Sequence, residues 1–105
     1  TGSTQIWEHK TFLGKLMLTD GCDFVRKECQ AYWLFDLIFS HQSSLARQEF
    51  QSWTLTRAEG CVFDVVCDDG DDTELLRQMI PFSDFPLDEI QIWLVDGICL
   101  LPSEY

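Results

Sequence analysis

Residues 19–40 read TDGCDFVRKECQAYWLFDLIFS, the one stretch long enough and apolar enough to organise the rest of the chain. It reads as a single long helix. Thr19 or Asp20 is placed to accept hydrogen bonds from the free N–H groups of a first turn, and Asp23 sets negative charge near the positive end of the helix dipole. On a helical wheel Cys22, Val25, Cys29, Tyr32, Trp33 and Asp36 share one side, with Asp23, Arg26, Lys27 and Gln30 opposite. After Ala31 the stretch is apolar nearly all round, so a sheet is expected to wrap the C-terminal half of this helix.

The flanking sequence supplies that sheet. Residues 5–9 and 12–18 read as short extended pieces, with Gly14 marking a bulge or turn. Residues 50–57 alternate Gln51, Trp53 and Leu55 against Ser52, Thr54 and Thr56. Residues 61–67 alternate Cys61, Phe63, Val65 and Cys67 against Val62, Asp64 and Val66. Asp68-Asp69-Gly70-Asp71-Asp72 is a polar loop, and residues 73–80 form the return strand. Pro81 and Pro86 interrupt the pattern. Residues 88–95 form a further strand, Asp96-Gly97 is the strongest hairpin signal in the chain, and residues 98–101 pair back. The expected fold is α+β, one long helix packed on a twisted antiparallel sheet of about five strands, in a single domain over residues 1–105. Trp33 and Trp53 are both expected to face its core.

Charge divides the chain. The net charge is −11. Residues 1–57 balance Glu8, Asp20, Asp23, Glu28, Asp36 and Glu49 against Lys10, Lys15, Arg26, Lys27, Arg47 and Arg57. Residues 58–105 carry twelve acids and one base, Arg77, so the excess lies entirely in the second half. That balance repels nucleic acid and suits a partner with a basic groove. No apolar run reaches the length of a membrane span, and no basic segment followed by an apolar core opens the chain, so a membrane or exported location is not expected. The five cysteines are odd in number and lack paired spacings, which fits reduced thiols in a cytoplasm.

The residues that could carry chemistry are scattered. No C-x-x-C or H-x-x-x-H spacing suggests a metal centre, and cysteine packs readily as a small hydrophobe, so core packing is the expected role of the thiols. His9 and His41 are each isolated and read as structural. The aspartate run around Gly70 has doublets where a calcium loop needs alternation, and reads as a solvated turn or an acidic tip for a partner. Asp36 sits among apolar neighbours and must be paired, hydrogen-bonded or at a rim. No phosphate loop, dinucleotide fingerprint, nucleophile elbow or paired catalytic carboxylates occur. No cofactor, metal or catalytic residue is expected.

Several pieces in order resemble an uncharacterised family of small acidic proteins of bacteria, plasmids and phages. They are His9, Leu18-Thr19-Asp20-Gly21, Ala31-Tyr32-Trp33-Leu34-Phe35-Asp36, Glu49-Phe50-Gln51-x-Trp53-x-Leu55, Asp84-Phe85-Pro86-Leu87 and the tail from Val95 through Asp96-Gly97-Ile98-Cys99-Leu100-Leu101-Pro102-Ser103-Glu104-Tyr105. The resemblance transfers no catalytic residues. It implies an accessory protein like those of mobile elements, some of which encode acidic inhibitors of host defence such as anti-CRISPR proteins. The expected function is a non-enzymatic module blocking a nucleic-acid-binding protein through Asp64, Asp68, Asp69, Asp71, Asp72, Glu74, Asp84, Asp88 and Glu89. It does not itself bind nucleic acid on this reading. The alternatives are a structural or self-associating domain whose acids only solvate it, and a small enzyme using Cys or His.

Overall fold

The computed structural model describes residues 6–11, 14–45, 47–71 and 73–104. The stretch expected to be one long helix is two short ones, α1 (Asp20–Glu28) and α2 (Tyr32–Ser40). The break is a left-handed residue: Gln30 has φ +51°. The Ala31 N–H reaches back to the Arg26 carbonyl at 3.0 Å, and the Gln30 N–H to the Lys27 carbonyl at 3.3 Å. Those two bonds make a Schellman motif, which terminates a helix by satisfying its last carbonyls. One left-handed residue also changes which side of the following helix faces inward. Leu34, Phe35 and Ile38 of α2 go to the core, while Tyr32 and Asp36 turn outward.

The sheet also departs from the expected five antiparallel strands. The described residues form one mixed sheet of seven strands: β1 (Trp7–Lys10), β2 (Lys15–Leu18), β3 (Phe50–Glu59), β4 (Val62–Asp68), β5 (Glu74–Ile80), β6 (Glu89–Val95) and β7 (Ile98–Leu100). Their order is β1-β2-β7-β6-β3-β4-β5. The pieces before α1 join the sheet as a hairpin, and β2 runs parallel to β7, with Leu18 beside Cys99. The other pairings are antiparallel.

A meander would set β6 against β5, yet β6 lies on the far side of β3, with Ile92 opposite Trp53. The proline-bearing loop over residues 81–88 makes that crossing, and Arg57 holds it. Its Nε donates to the Asp88 carboxylate at 2.8 Å and its Nη2 to the Phe85 carbonyl at 3.0 Å. Phe85 is buried with its ring edge-on to Phe63, and the Ser83 N–H donates to the Cys61 carbonyl at 2.9 Å. The loop is thus fixed at the β3–β4 end and delivers β6 to the open edge of β3. Asp96 and Gly97 both have positive φ, 52° and 80°, as a two-residue type I′ hairpin requires.

The helices cover one face of the sheet. Leu34, Phe35 and Ile38 belong to one buried cluster with Leu16, Leu18, Trp53, Leu55, Phe63, Val65, Ile92 and Leu94. Trp33, expected in the core, is only half-buried at its rim. The opposite face carries Thr56, Asp64, Val66, Arg77, Met79, Glu89 and Gln91, all exposed or half-buried. Thr19 makes no side-chain cap to α1. Glu104, in a single 3-10 turn (Pro102–Glu104), accepts from the Gly21 N–H at 2.9 Å instead. Among the described residues no helix is long and apolar enough to cross a membrane.

Candidate functional site

Strand register decides where the acidic residues point. Thr56 of β3 sits opposite Glu89 on one side and Asp64 on the other, and Asp64 opposite Met79. Ser52 sits opposite Asp68, which faces Glu74 across a bulge. Asp64, Asp68 and Glu89 therefore share the face away from the helices, with Glu74 at its margin. Asp64 and Asp68 lie about 13 Å apart along β4, and Asp64 and Glu89 about 10 Å apart across β3. Such spacings present separate charges to a broad basic surface.

The β4–β5 turn adds Asp69 and Asp71, and the carboxylates of Asp68 and Asp69 are bound into its geometry. One oxygen of Asp68 accepts from the Gly70 N–H at 2.8 Å, and one of Asp69 accepts from the Asp71 N–H at 2.8 Å and the Thr73 N–H at 3.3 Å. Gly70 has φ +88° and packs beneath the Phe50 ring, where a Cβ would come within 2.7 Å. These are turn-forming aspartates, and an amide could replace either as acceptor. Asp72 lies outside the described residues. Among the described residues no group of three or more His, Cys, Asp or Glu side chains is placed to hold a metal ion.

The remaining sequence-derived positions do not join this patch as free charge. Asp88 is exposed but ion-paired with Arg57 at 2.8 Å, and Glu74 is paired with Arg77 at 2.8 Å. The Glu74 carboxylate, hydrogen-bonded to Arg77, pushes that guanidinium pKa further up. Asp84 is exposed at the other end of the sheet, on a shallow groove with Trp33, Ile80 and Phe82. The eight described positions therefore divide between the outer face with its turn and the proline loop.

His9 reads from sequence as structural and Asp36 as paired, hydrogen-bonded or at a rim, and the fold joins the two in one polar constellation that the sequence did not reveal. His9 of β1 and Asp36 of α2 meet at 2.7 Å, Nε2 to Oδ1. The other ring nitrogen, Nδ1, lies 3.4 Å from Nη1 of Arg26. A guanidinium can only donate, so Nδ1 accepts, and in the neutral ring the proton sits on Nε2 and is given to Asp36. Arg26 also donates to the Glu8 carbonyl at 3.2 Å and to the buried Asp23 at 2.6 Å, which Lys27 reaches at 3.2 Å. Lys27 lies over the Trp7 ring, and the Trp7 N–H donates to Asp20. The chain of contacts ties β1 to both helices. His9 is 4% exposed with both nitrogens engaged, so it holds structure and offers no lone pair to a substrate. The available signal was that His9 and Asp36 both fall in the pieces that carry the family resemblance.

Three thiols pack as expected. Burial pushes Cys22 and Cys67 up to about 12, and Cys99 well above its ordinary value. Cys61 departs from that expectation, being exposed at the β3–β4 turn. A cleft of about 410 Å³ opens between the end of α2 and the sheet, lined in part by Gln42, Gln51, Lys15 and Asp96. Gln42 and Gln51 exchange two amide hydrogen bonds of 3.0 Å, and Trp53 donates to Gln51 at 3.0 Å. The Gln42 amide also donates to the Ile38 carbonyl at 2.8 Å, so both amides are engaged within the protein.

The chain belongs to a family of unknown function, DUF6876, whose model matches residues 1–105. Comparison with curated proteins gave no match, and comparison with solved structures gave none.

Proposed function

We propose that this protein is a non-enzymatic binding module that presents the acidic outer face of its sheet to the basic groove of a nucleic-acid-binding protein. One observation carries the reading. Asp64, Asp68 and Glu89 share the face not used by the helices, with Asp69 and Asp71 in the turn beside it, in a half of the chain whose one base is already engaged by Glu74. Among the described residues, ion pairs take up only Glu74 and Asp88 of the candidate set. Charge left open on a surface steers a basic partner and selects against nucleic acid. The engaged nitrogens of His9 and the three buried thiols favour binding over catalysis. The setting we propose, from the resemblance of the sequence pieces, is an accessory inhibitor of anti-defence or anti-CRISPR type carried by a mobile element.

The test is affinity capture from a bacterial lysate at low and high salt, with captured proteins identified by mass spectrometry. The triple variant Asp64→Asn, Asp68→Asn, Glu89→Gln is compared with a control, Glu28→Gln with Glu49→Gln, which removes exposed acids from the balanced half. A basic protein lost with the triple variant and with salt, but retained by the control, supports the reading. Equal capture by both variants overturns it.

A further inference from the structure

The two outer strands of the sheet are unequal. β1 has four residues, and its pairing ends with Lys10 opposite Lys15, so it is short and charged. β5 has seven residues, pairs with β4 on one side, and among the described residues has no strand on the other. It carries Leu75, Leu76, Met79 and Ile80, and its first proline, Pro81, comes only after the strand ends. Natural sheets protect their outermost strands by shortness, charged side chains, proline or a bulge. β5 has a bulge only at its start, and its two charges, Glu74 and Arg77, pair with each other, which leaves the stretch from Gln78 to Ile80 without such protection. The surroundings are apolar as well. Met79 is 61% and Phe82 72% exposed, and a shallow groove of about 370 Å³ runs along Trp33, Ile80, Phe82 and Asp84.

We propose that the free edge of β5 is a docking strand for an extended, basic segment of a partner protein, which adds to the sheet by backbone hydrogen bonds. The proposal rests on the acidic-face reading above and specifies how that partner is held. Alternate side chains of an added strand point to opposite faces. One set enters the groove beside Ile80 and Phe82, which suits apolar residues. The other set lies on the outer face beside Met79. There Asp64 and Asp68 stand two strands away, about 10 Å, within reach of Lys or Arg. Charge selects the occupant. Arg77 is the one base of the acidic half and Glu74 already engages it, so a basic segment is attracted. A second copy of this chain, at −11, is repelled.

The probe is a nine-residue, end-blocked peptide alternating Lys and Val. Its comparators are the same peptide N-methylated on the backbone at every residue and a neutral Thr–Val analogue. Binding is read by NMR titration, together with hydrogen exchange of the β5 amides. The Lys–Val peptide should slow exchange of the amides facing away from β4, and the N-methylated form should bind about tenfold more weakly or worse. The Asp64→Asn, Asp68→Asn variant and the neutral peptide should each show weakened binding. Equal binding by the N-methylated peptide, or unchanged β5 exchange, overturns edge docking; the acidic-face reading then stands if the Asn variant still binds less. Equal binding and protection by the neutral peptide overturns the basic occupant proposed for this edge, and the acidic-face reading with it. A dimer with β5 already protected before peptide is added, or no binding by the Lys–Val peptide, overturns the proposal. The peptide comparison leaves the protein unaltered, so no arm of it depends on a variant folding.

Discussion

Glu104 caps α1 at Gly21, a residue 83 positions earlier in the chain. Its Oε2 accepts from the Gly21 N–H at 2.9 Å, and its Oε1 accepts from the Thr19 hydroxyl at 2.6 Å and the Leu101 N–H at 2.9 Å. A helix leaves its first N–H groups without partners, and a carboxylate there meets both the hydrogen-bond need and the positive end of the dipole. The C-terminal turn is therefore fastened to the start of α1 by one side chain. A Cβ on Gly21 would fall 2.5 Å from Oε1 and 2.8 Å from a methyl of Leu101.

Two substitutions follow from that contact. Gly21→Ala should destabilise by about 1–3 kcal/mol through overpacking. Glu104→Ala should cost about 1–2 kcal/mol as a lost cap. Urea denaturation measures both, and the two changes should be less than additive because they disturb one contact. A neutral Gly21→Ala would mean that the carboxylate does not sit over this N-terminus.

The left-handed Gln30 gives the opposite sign. Glycine populates positive φ without a Cβ penalty, so Gln30→Gly should stabilise by about 0.5–1 kcal/mol. Gln30→Val, β-branched at the same φ of +51°, should destabilise by at least about 1 kcal/mol. Thermal melts should move in opposite directions for the two variants. A downward shift for Gln30→Gly would restore the continuous helix.

The tryptophans separate in the same way. Trp53 is 2% exposed, stacks on His41 and bonds Gln51, so Trp53→Ala should cost about 3–5 kcal/mol. Trp33 is half-buried on the groove beside Ile80 and Phe82, so Trp33→Ala should cost roughly 1–2 kcal/mol. Equal losses in chemical denaturation would place Trp33 back in the core.

Much of this was legible in the sequence and some of it could not be. Period-two alternation located β3, β4 and β6, and Asp96-Gly97 located the β6–β7 hairpin, because each signal lies within a few residues. Strand order was not local. The place of β6 beside β3 depends on Arg57 gripping Asp88 and Phe85, contacts about thirty residues apart that periodicity does not encode. The helix break was hidden because glutamine occupies a position where glycine is the usual signal. Likewise the charge asymmetry was plain, but the loss of Asp88 to Arg57 and the meeting of His9 with Asp36 needed the fold.

Buried thiols make stability sensitive to alkali. In the unfolded chain Cys22 and Cys67 ionise near 9, whereas in the folded protein burial holds them protonated up to about 12. Above pH 9 the unfolded state therefore binds fewer protons than the folded state, and stability falls as pH rises. The stabilisation is complete below pH 9 and lost progressively toward pH 12, with a limiting slope of about 1.4 kcal/mol per pH unit for each thiol. The urea midpoint should drop steeply between pH 9 and 11, and a flat midpoint over that range would argue that these thiols are not buried. At neutral pH, iodoacetamide on the native protein should modify the exposed Cys61 first and leave Cys22, Cys67 and Cys99 untouched until unfolding.

The acidic outer face gives the prediction with the greatest consequence for function. Asp64→Asn with Asp68→Asn removes two charges while keeping side-chain size. Asn at 68 can still accept from the Gly70 N–H, so the turn should survive and thermal melts should shift by no more than the few degrees typical of surface changes. A basic partner should then associate more slowly, by roughly tenfold at low salt, while dissociation changes little if the carboxylates lie at the rim of the interface. Raising salt should shrink the difference between variant and native protein, since screening removes what the mutation removes. Replacing Asp88 by Asn is the internal comparison. Its charge is already spent on Arg57, so partner association should barely change, while stability falls slightly as the loop loses an anchor. Association and dissociation rates by surface plasmon resonance at two salt concentrations decide the matter. If Asp88→Asn slows association as much as the double variant does, net charge alone governs the encounter, and the outer face has no special part in it.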